Sequence, residues 1–135
     1  MINRSIADPD AHSVSVTTGE EGVALQCGAH LGGARCVLLV LSSGVVNCVN
    51  FSSLLRYGRF PFLTVVSMHV DYGDGNAWQM AMGKATQPVL EASGITCTRV
   101  ETDDELIPAS RSACNMAFQS EDAMAALLTQ KFFGA

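Results

Sequence analysis

The chain has 135 residues, of which 48% are hydrophobic and 16% charged, with a formal net charge of −5. A chain of that size and composition can bury one real core and is not a disordered polymer. The acidic balance, without any cluster of Lys or Arg, argues against a nucleic-acid surface.

The opening stretch "MINRSIADPD" has no apolar segment of the signal-peptide kind. "HSVSVT" (His12 to Thr17) alternates and is rich in β-branched residues, which predicts a strand. "EEGVALQCGAHLGG" places Val23, Ala24, Cys27 and Leu31 at helical spacing, and Gly32-Gly33 ends that helix. "CVLLVL" (Cys36 to Leu41) is a continuous apolar run, expected as a strand buried on both faces. No charged residue occurs from Cys36 to Leu55, but Ser42, Ser43, Asn47, Asn50, Ser52 and Ser53 make the stretch costly in lipid. It is expected as a strand, a Ser-Ser-Gly turn and one helix stopped by Gly58, not as a membrane span.

"FPFLTVVS" (Phe60 to Ser67) predicts a second buried strand. "MHVDYGDGNAWQM" is a loop with a Gly-Asp-Gly tip. "GKATQPVLEASG" is a short helix closed by Gly94, with Pro88 in its first turns. "ITCTRV" is a strand, and "DDELIPASRSACNMAFQ" a helix whose acidic start suits the macrodipole. The last segment, "EDAMAALLTQKFF", is helix by propensity and a short buried strand by pattern. Strands alternating with helices predict an α/β fold, a parallel sheet with helices on both faces. No repeat, linker or low-complexity tract interrupts it.

Ligands of such sheets sit at the carboxyl ends of the strands, so "TTGEEG", "LSSGVVN" and "SMHVDYGDGN" are the segments to weigh. Glu20 and Glu21 can form a cap, since Thr18-x-x-Glu21 fits a capping box. Alternatively one of them is a working acid at a pocket rim, sharing a proton with a ligand nitrogen. "SSGVVN" can be a structural turn or an anion-holding helix start, but it is neither a GxSxG elbow nor a P-loop. Asp71, Asp74 and Asn76 could offer oxygen to a metal, yet the loop is too short for an EF-hand and a plain turn is the simpler reading. Cys27, Cys36, Cys48, Cys97 and Cys114 are odd in number and form no CxxC, which points to reduced thiols and a cytoplasmic protein. His12, His30 and His69 form no HxxxH pair.

Glu20-Glu21-Gly22-Val23, Ser43-Gly44-x-x-Asn47-x-x-Asn50 and Met82-Gly83-x-Ala85-Thr86, in that order, resemble the thiamine-diphosphate-dependent 2-oxoacid decarboxylases. The likeness covers roughly residues 10 to 130. It is nearest to the sulfopyruvate decarboxylase alpha subunit and the N-terminal part of phosphonopyruvate decarboxylase. The resemblance implies a single pyrimidine-binding (PYR-type) domain over 1–135. It implies that Glu21 is the catalytic carboxyl bonded to the aminopyrimidine ring of the cofactor, with Ser43, Gly44 and Asn47 beside that ring. It also implies Ser42, His69 and Gln79 on the substrate side, a last strand at "AMAALL", and a beta subunit whose own domain holds the diphosphate and Mg2+. The chain would then be inactive alone, a subunit of a homo- or hetero-oligomer that turns over a small 2-oxoacid such as sulfopyruvate or phosphonopyruvate, each with a second anionic group. Gly73-Asp74-Gly75 lies in the wrong segment to be the metal motif.

The sequence also departs from the family. The family's first strand and helix have no counterpart before "VTTGEEG", which leaves an apolar flank for a partner or a second copy. Its Gln-Asn before Ser-Gly is Leu41-Ser42 here, and its Trp-Arg after the third strand is Met68-His69. These positions lie near the substrate's acid group in the family and bear on the choice of 2-oxoacid, with His69 in place of the Arg as anion contact or as a surface residue. The altered Leu41-Ser42-Ser43 and the absent first unit favour the alternative, a non-catalytic module that dimerises or binds a ligand.

Overall fold

A computed structural model of the chain describes residues 2–69 and 77–134. Four parallel strands form one sheet: β1 (Leu38–Leu41), β2 (Phe62–Ser67), β3 (Thr96–Val100) and β4 (Ala123–Leu128), in the order β1-β2-β4-β3. The helices are α1 (Ile2–Ala7), α2 (Gly19–Leu31), α3 (Ser42–Val45), α4 (Ser52–Gly58), α5 (Met80–Ala92) and α6 (Asp103–Gln119). The expected α/β class with an all-parallel sheet is therefore observed.

The centre of the sheet is the most hydrophobic part of the chain. Every residue of β4 is buried, because that strand has neighbours on both edges and both faces. "AMAALL" has helical propensity, but its burial between β2 and β3 decides for strand. On one face Leu38, Phe62, Val66, Ala125 and Leu127 join Val23 and Cys27 of α2 and Leu90 of α5 in the main core. On the other, Ala113 and Ala117 of α6 pack on Met124 and Leu63. The small α6 residues let the helix approach closely.

Four expectations are corrected. His12 to Thr17 form no strand; the segment has no sheet neighbour, and Val14 is 56% exposed. The apolar run Cys36 to Leu41 is not buried on both faces: β1 is an edge strand, and Leu41 is 48% exposed. The single helix expected after Ser-Ser-Gly is broken into α3, a 3-10 turn at Val46–Cys48, and α4. Pro88 lies well inside α5, which begins at Met80. Gly58 does end α4, but for a packing reason. Arg59 takes the left-handed cap (φ 53°), and a Cβ on Gly58 would stand 2.5 Å from the Phe60 ring. The Gly-Asp-Gly loop with Asp71, Asp74 and Asn76 lies outside the described residues.

One buried polar side chain completes the sheet. Gln26 of α2 is 5% exposed, and its amide donates to the Leu63 carbonyl at 3.1 Å while its Oε1 accepts from the Leu63 N–H at 3.4 Å. The β1 ladder starts at the Leu38–Thr64 pair, one residue beyond Leu63, so the Gln26 side chain stands in for the strand. Gln26→Leu should leave both Leu63 groups unpaired and cost about 2 kcal/mol, measured by urea denaturation against the parent chain.

Candidate functional site

The first turn of α3 is held from two sides. A Cβ on Gly19, the first residue of α2, would lie 2.7 Å from the Gly44 carbonyl oxygen and 2.7 Å from Cys48 Sγ. Only glycine permits α2 to start so close to the α3 backbone. From the opposite side the buried Thr86 hydroxyl of α5 donates to Met82 O at 2.6 Å and lies 3.3 Å from Ser42 O. Gly44 is needed for packing as well: its Cβ would meet Val40 Cγ2 at 2.7 Å. The expectation that its missing side chain serves a ligand is thus joined by a purely steric reason.

A cleft of about 580 Å³ opens at the carboxyl end of β1. Ser43, Gly44 and Asn47 line it, as do Thr17, Thr18 and Gly19 at the start of α2. Its floor is the sheet face of Leu39, Leu41, Val65 and Ser67, with Leu128 beside them. The structure thus brings together "TTG" and "SGVVN", two segments separated by the whole of α2 and β1. A shallower depression of about 440 Å³ lies along α6, at Ile107, Pro108, Arg111, Ser112 and Asn115. It gathers none of the expected residues.

Glu21 stands in the first turn of α2, exposed, and its Oε2 accepts a hydrogen bond from the Thr17 N–H at 2.6 Å. The capping box is half formed. Glu21 reaches back as expected, but to Thr17, and the Thr18 side chain makes no cap bond. Thr18 Oγ1 is buried without a partner among the described residues. Glu20 is half-buried, and its carboxylate adds to the burial that pushes the Cys48 thiol up to about 11.

Four expected residues, Glu21 among them, do not line the cleft. Ser42 is fully buried beneath α5, and its hydroxyl has no partner among the described residues. His69 follows β2 and is half-buried. Gln79, in the 3-10 turn Ala77–Gln79 before α5, has a buried Oε1 without a partner among the described residues. Sequence reasoning missed the floor residues Leu39, Leu41, Val65 and Ser67. Their exposure depends on β1 being an edge strand, which no local pattern announces.

No known family profile matches the chain. Among curated proteins, it is 32% identical over 129 residues to the sulfopyruvate decarboxylase subunit alpha of Methanococcus maripaludis, covering 95% of this chain and 77% of that one. The chain belongs to the sulfopyruvate decarboxylase alpha-subunit family. The alpha subunit of Methanothermobacter thermautotrophicus is 29% identical over 94% of this chain and 78% of its own length. Phosphonopyruvate decarboxylase of Streptomyces viridochromogenes is 31% identical over 78% of this chain, which corresponds to 28% of that protein. The resemblance carried by Glu20-Glu21-Gly22, Ser43-Gly44 and Met82-Gly83 is borne out, and the all-parallel α/β sheet agrees with it. No helix among the described residues of this alpha-subunit homologue is long and apolar enough to cross a membrane. Among those residues no cluster of His, Cys, Asp or Glu could hold a metal.

Two outcomes are expected from this geometry. Gly19→Ala should overpack the α2–α3 contact and destabilise the fold by roughly 1 to 3 kcal/mol, read from thermal unfolding. Cys48 is protonated at neutral pH, since burial first and Glu20 second raise its pKa from 9.0 to about 11. The sign follows from the raised folded-state value. Its stabilising contribution is present below pH 9, where the thiol is neutral in both states, and is lost as pH rises toward 11. Unfolding from pH 8 to 11 should therefore show an alkaline loss that Cys48→Ala reduces.

Proposed function

We propose that the chain is a PYR-type domain of a two-subunit, thiamine-diphosphate-dependent decarboxylase of a small 2-oxoacid. The observation that carries the proposal is the Gly19–Gly44 contact, which sets the start of α2, the turn that bears Glu21, against the segment whose Ser43 and Asn47 line the cleft. Relatives named as decarboxylase alpha subunits support the reaction class and the need for a second subunit.

The residues fit the pyrimidine end of that cofactor. A flat heteroaromatic ring has apolar faces and polar edges, and the cleft offers Leu39, Leu41 and Val65 as a floor with Ser43 and Asn47 at the rim. Thr18 contributes a buried hydroxyl still lacking a partner. When bound, thiamine diphosphate supplies the nucleophile and the electron sink for loss of CO2 from a 2-oxoacid.

This chain's own part is positioning and proton handling. Glu21 holds or accepts the proton of a ring nitrogen, which needs a carboxyl at hydrogen-bond distance on a rigid element. The first turn of α2 is such an element, fixed by Gly19 against α3 and by Gly22, whose Cβ would overlap Leu38. Ser43 and Asn47 orient the ring edge. The diphosphate and Mg2+ fall to the beta subunit, and the location is cytoplasmic.

The alternative is a non-catalytic module that dimerises or binds a ligand. One observation favours it: Glu21 is exposed and already engaged by the Thr17 N–H. The test is CO2 release from 2-oxoacids by the chain co-purified with a beta subunit, with and without thiamine diphosphate and Mg2+. Glu21→Gln should lower turnover by about 10²- to 10⁴-fold, with unchanged melting and unchanged assembly. Full activity in that variant removes Glu21 from the mechanism. No cofactor-dependent CO2 release with any 2-oxoacid establishes the binding module instead.

A further inference from the structure

The cleft has a second side that the contacts described above leave unused. β1 and β4 lie on either side of β2, two strand spacings or about 10 Å apart. Ser43, Gly44 and Asn47 stand on the β1 side, in α3 and the 3-10 turn after it. On the β4 side the chain passes from Leu128 through Thr129 into the 3-10 turn Gln130–Phe133, and Phe133 lines the cleft. That turn buries no residue, yet it is anchored. The Thr129 N–H donates to the Val100 carbonyl at 3.0 Å. Lys131 Nζ donates to Glu101 Oε2 at 2.8 Å, just beyond β3. Gly134 closes the turn in the left-handed region (φ 80°), its N–H donating to Lys131 O at 3.1 Å. The Phe132 and Phe133 rings meet edge to face, with centroids 5.1 Å apart and planes at 88°.

Phe133 is nevertheless 57% exposed. A single exposed apolar residue is ordinary. This one is set apart by its anchored turn and by its place at the side of a cleft with an apolar floor. Leucine and valine already make that floor greasy; what a phenyl ring adds is a preference for another flat π-system, stacked or edge to face. An apolar floor alone lets a flat ring slide across it. An aromatic side group opposite Ser43 and Asn47 fixes the ring's position between the two. We propose that Phe133 is a ligand-contacting residue, whose ring makes an aromatic contact with the heteroaromatic ring bound in the cleft. The inference rests on the proposed function for the nature of that ring, and it adds a residue from the far end of the chain to the site.

Direct binding tests it apart from turnover. The probe is the pyrimidine half alone, 4-amino-5-hydroxymethyl-2-methylpyrimidine. It is titrated by NMR into the full chain with its phenylalanines labelled, and into the alpha–beta complex. The expected result is saturable shifts of the Phe133 ring, with intermolecular NOEs from that ring to the fragment. Phe133→Leu keeps apolar bulk at an exposed site, so melting should not change, while fragment binding should weaken by roughly tenfold. Phe133→Trp should restore it. Undiminished binding in Phe133→Leu, or saturable binding without NOEs to Phe133, overturns the inference and leaves the pyrimidine-binding reading standing, since the fragment still binds. Loss of beta-subunit association in Phe133→Leu with unchanged fragment affinity also overturns it and makes Phe133 a subunit contact. No saturable binding to the chain or to the complex overturns the inference and the pyrimidine-binding reading together. Fragment binding that depends on Phe133, with no CO2 release from any 2-oxoacid, keeps the contact and rejects the decarboxylase.

Discussion

The carboxyl-end architecture depends on one short turn. α3 is only four residues long, too short to hold itself, and its geometry is imposed by neighbours. Gly19 presses from α2 onto the Gly44 carbonyl, and Thr86 of α5 reaches the Ser42 carbonyl from the other side. Cys48 adds a thiol hydrogen bond to Gly44 O at 3.5 Å. Glu-Glu-Gly, Ser-Gly and Met-Gly-x-Ala-Thr are far apart along the chain, yet all three meet at this turn. Their spacing is a packing requirement before it is a chemical one. A side chain on Gly19 or Gly44 would separate the elements that bear Glu21 and Asn47.

The second constraint is the asymmetry of the sheet. β4 is buried throughout, as a central parallel strand needs, whereas β2 is covered on both faces at its start and open on one face at Val65 and Ser67. β1 is covered only by α2 and its own α3, because α6 lies over β4, β3 and the start of β2. The two edges also differ. β3 carries Arg99 and two threonines, polar groups that discourage further pairing, whereas Leu38–Leu41 is wholly aliphatic. An edge strand without such protection leaves its outer face to be filled by something else. The cleft is the direct result: α6 packs at Leu63 and Met124 and leaves Leu39, Leu41 and Val65 as a floor, with Asn3 and Phe133 among the other lining residues.

Element types were legible where the cause is local. The 17-residue α6 follows from its acidic start and its small-residue spacing, and α2 from its period and its glycine stop. The errors lie where tertiary context decides. "HSVSVT" alternates like a strand, but alternation does not create a neighbour to pair with. "CVLLVL" reads as doubly buried because composition cannot tell a central strand from an unprotected edge. The break between α3 and α4 is invisible to periodicity, since Val45, Cys48, Ser52 and Leu55 keep helical spacing and are all buried despite it. The site divides likewise. Ser43, Gly44 and Asn47 were readable as a strand-end turn, while no spacing in the helix announces that Gln26 completes the sheet. Ser42, expected on the substrate side, is fully buried.

The position of Glu21 joins these threads. Its carboxylate is fixed in direction by the helix turn and by the Thr17 N–H, yet it stands in water. A carboxyl that exchanges a proton with a ring nitrogen works best where water is excluded and the partner atom is close. The chain supplies orientation through Gly19 and Gly22; exclusion of water has to come from another surface laid over the same mouth. In this reading the alpha chain carries a preoriented acid and an apolar floor, and the second subunit turns an exposed cap into an active group. On the proposed function, decarboxylation would be a property of the assembled pair, with Glu21 a helix cap in the alpha chain by itself.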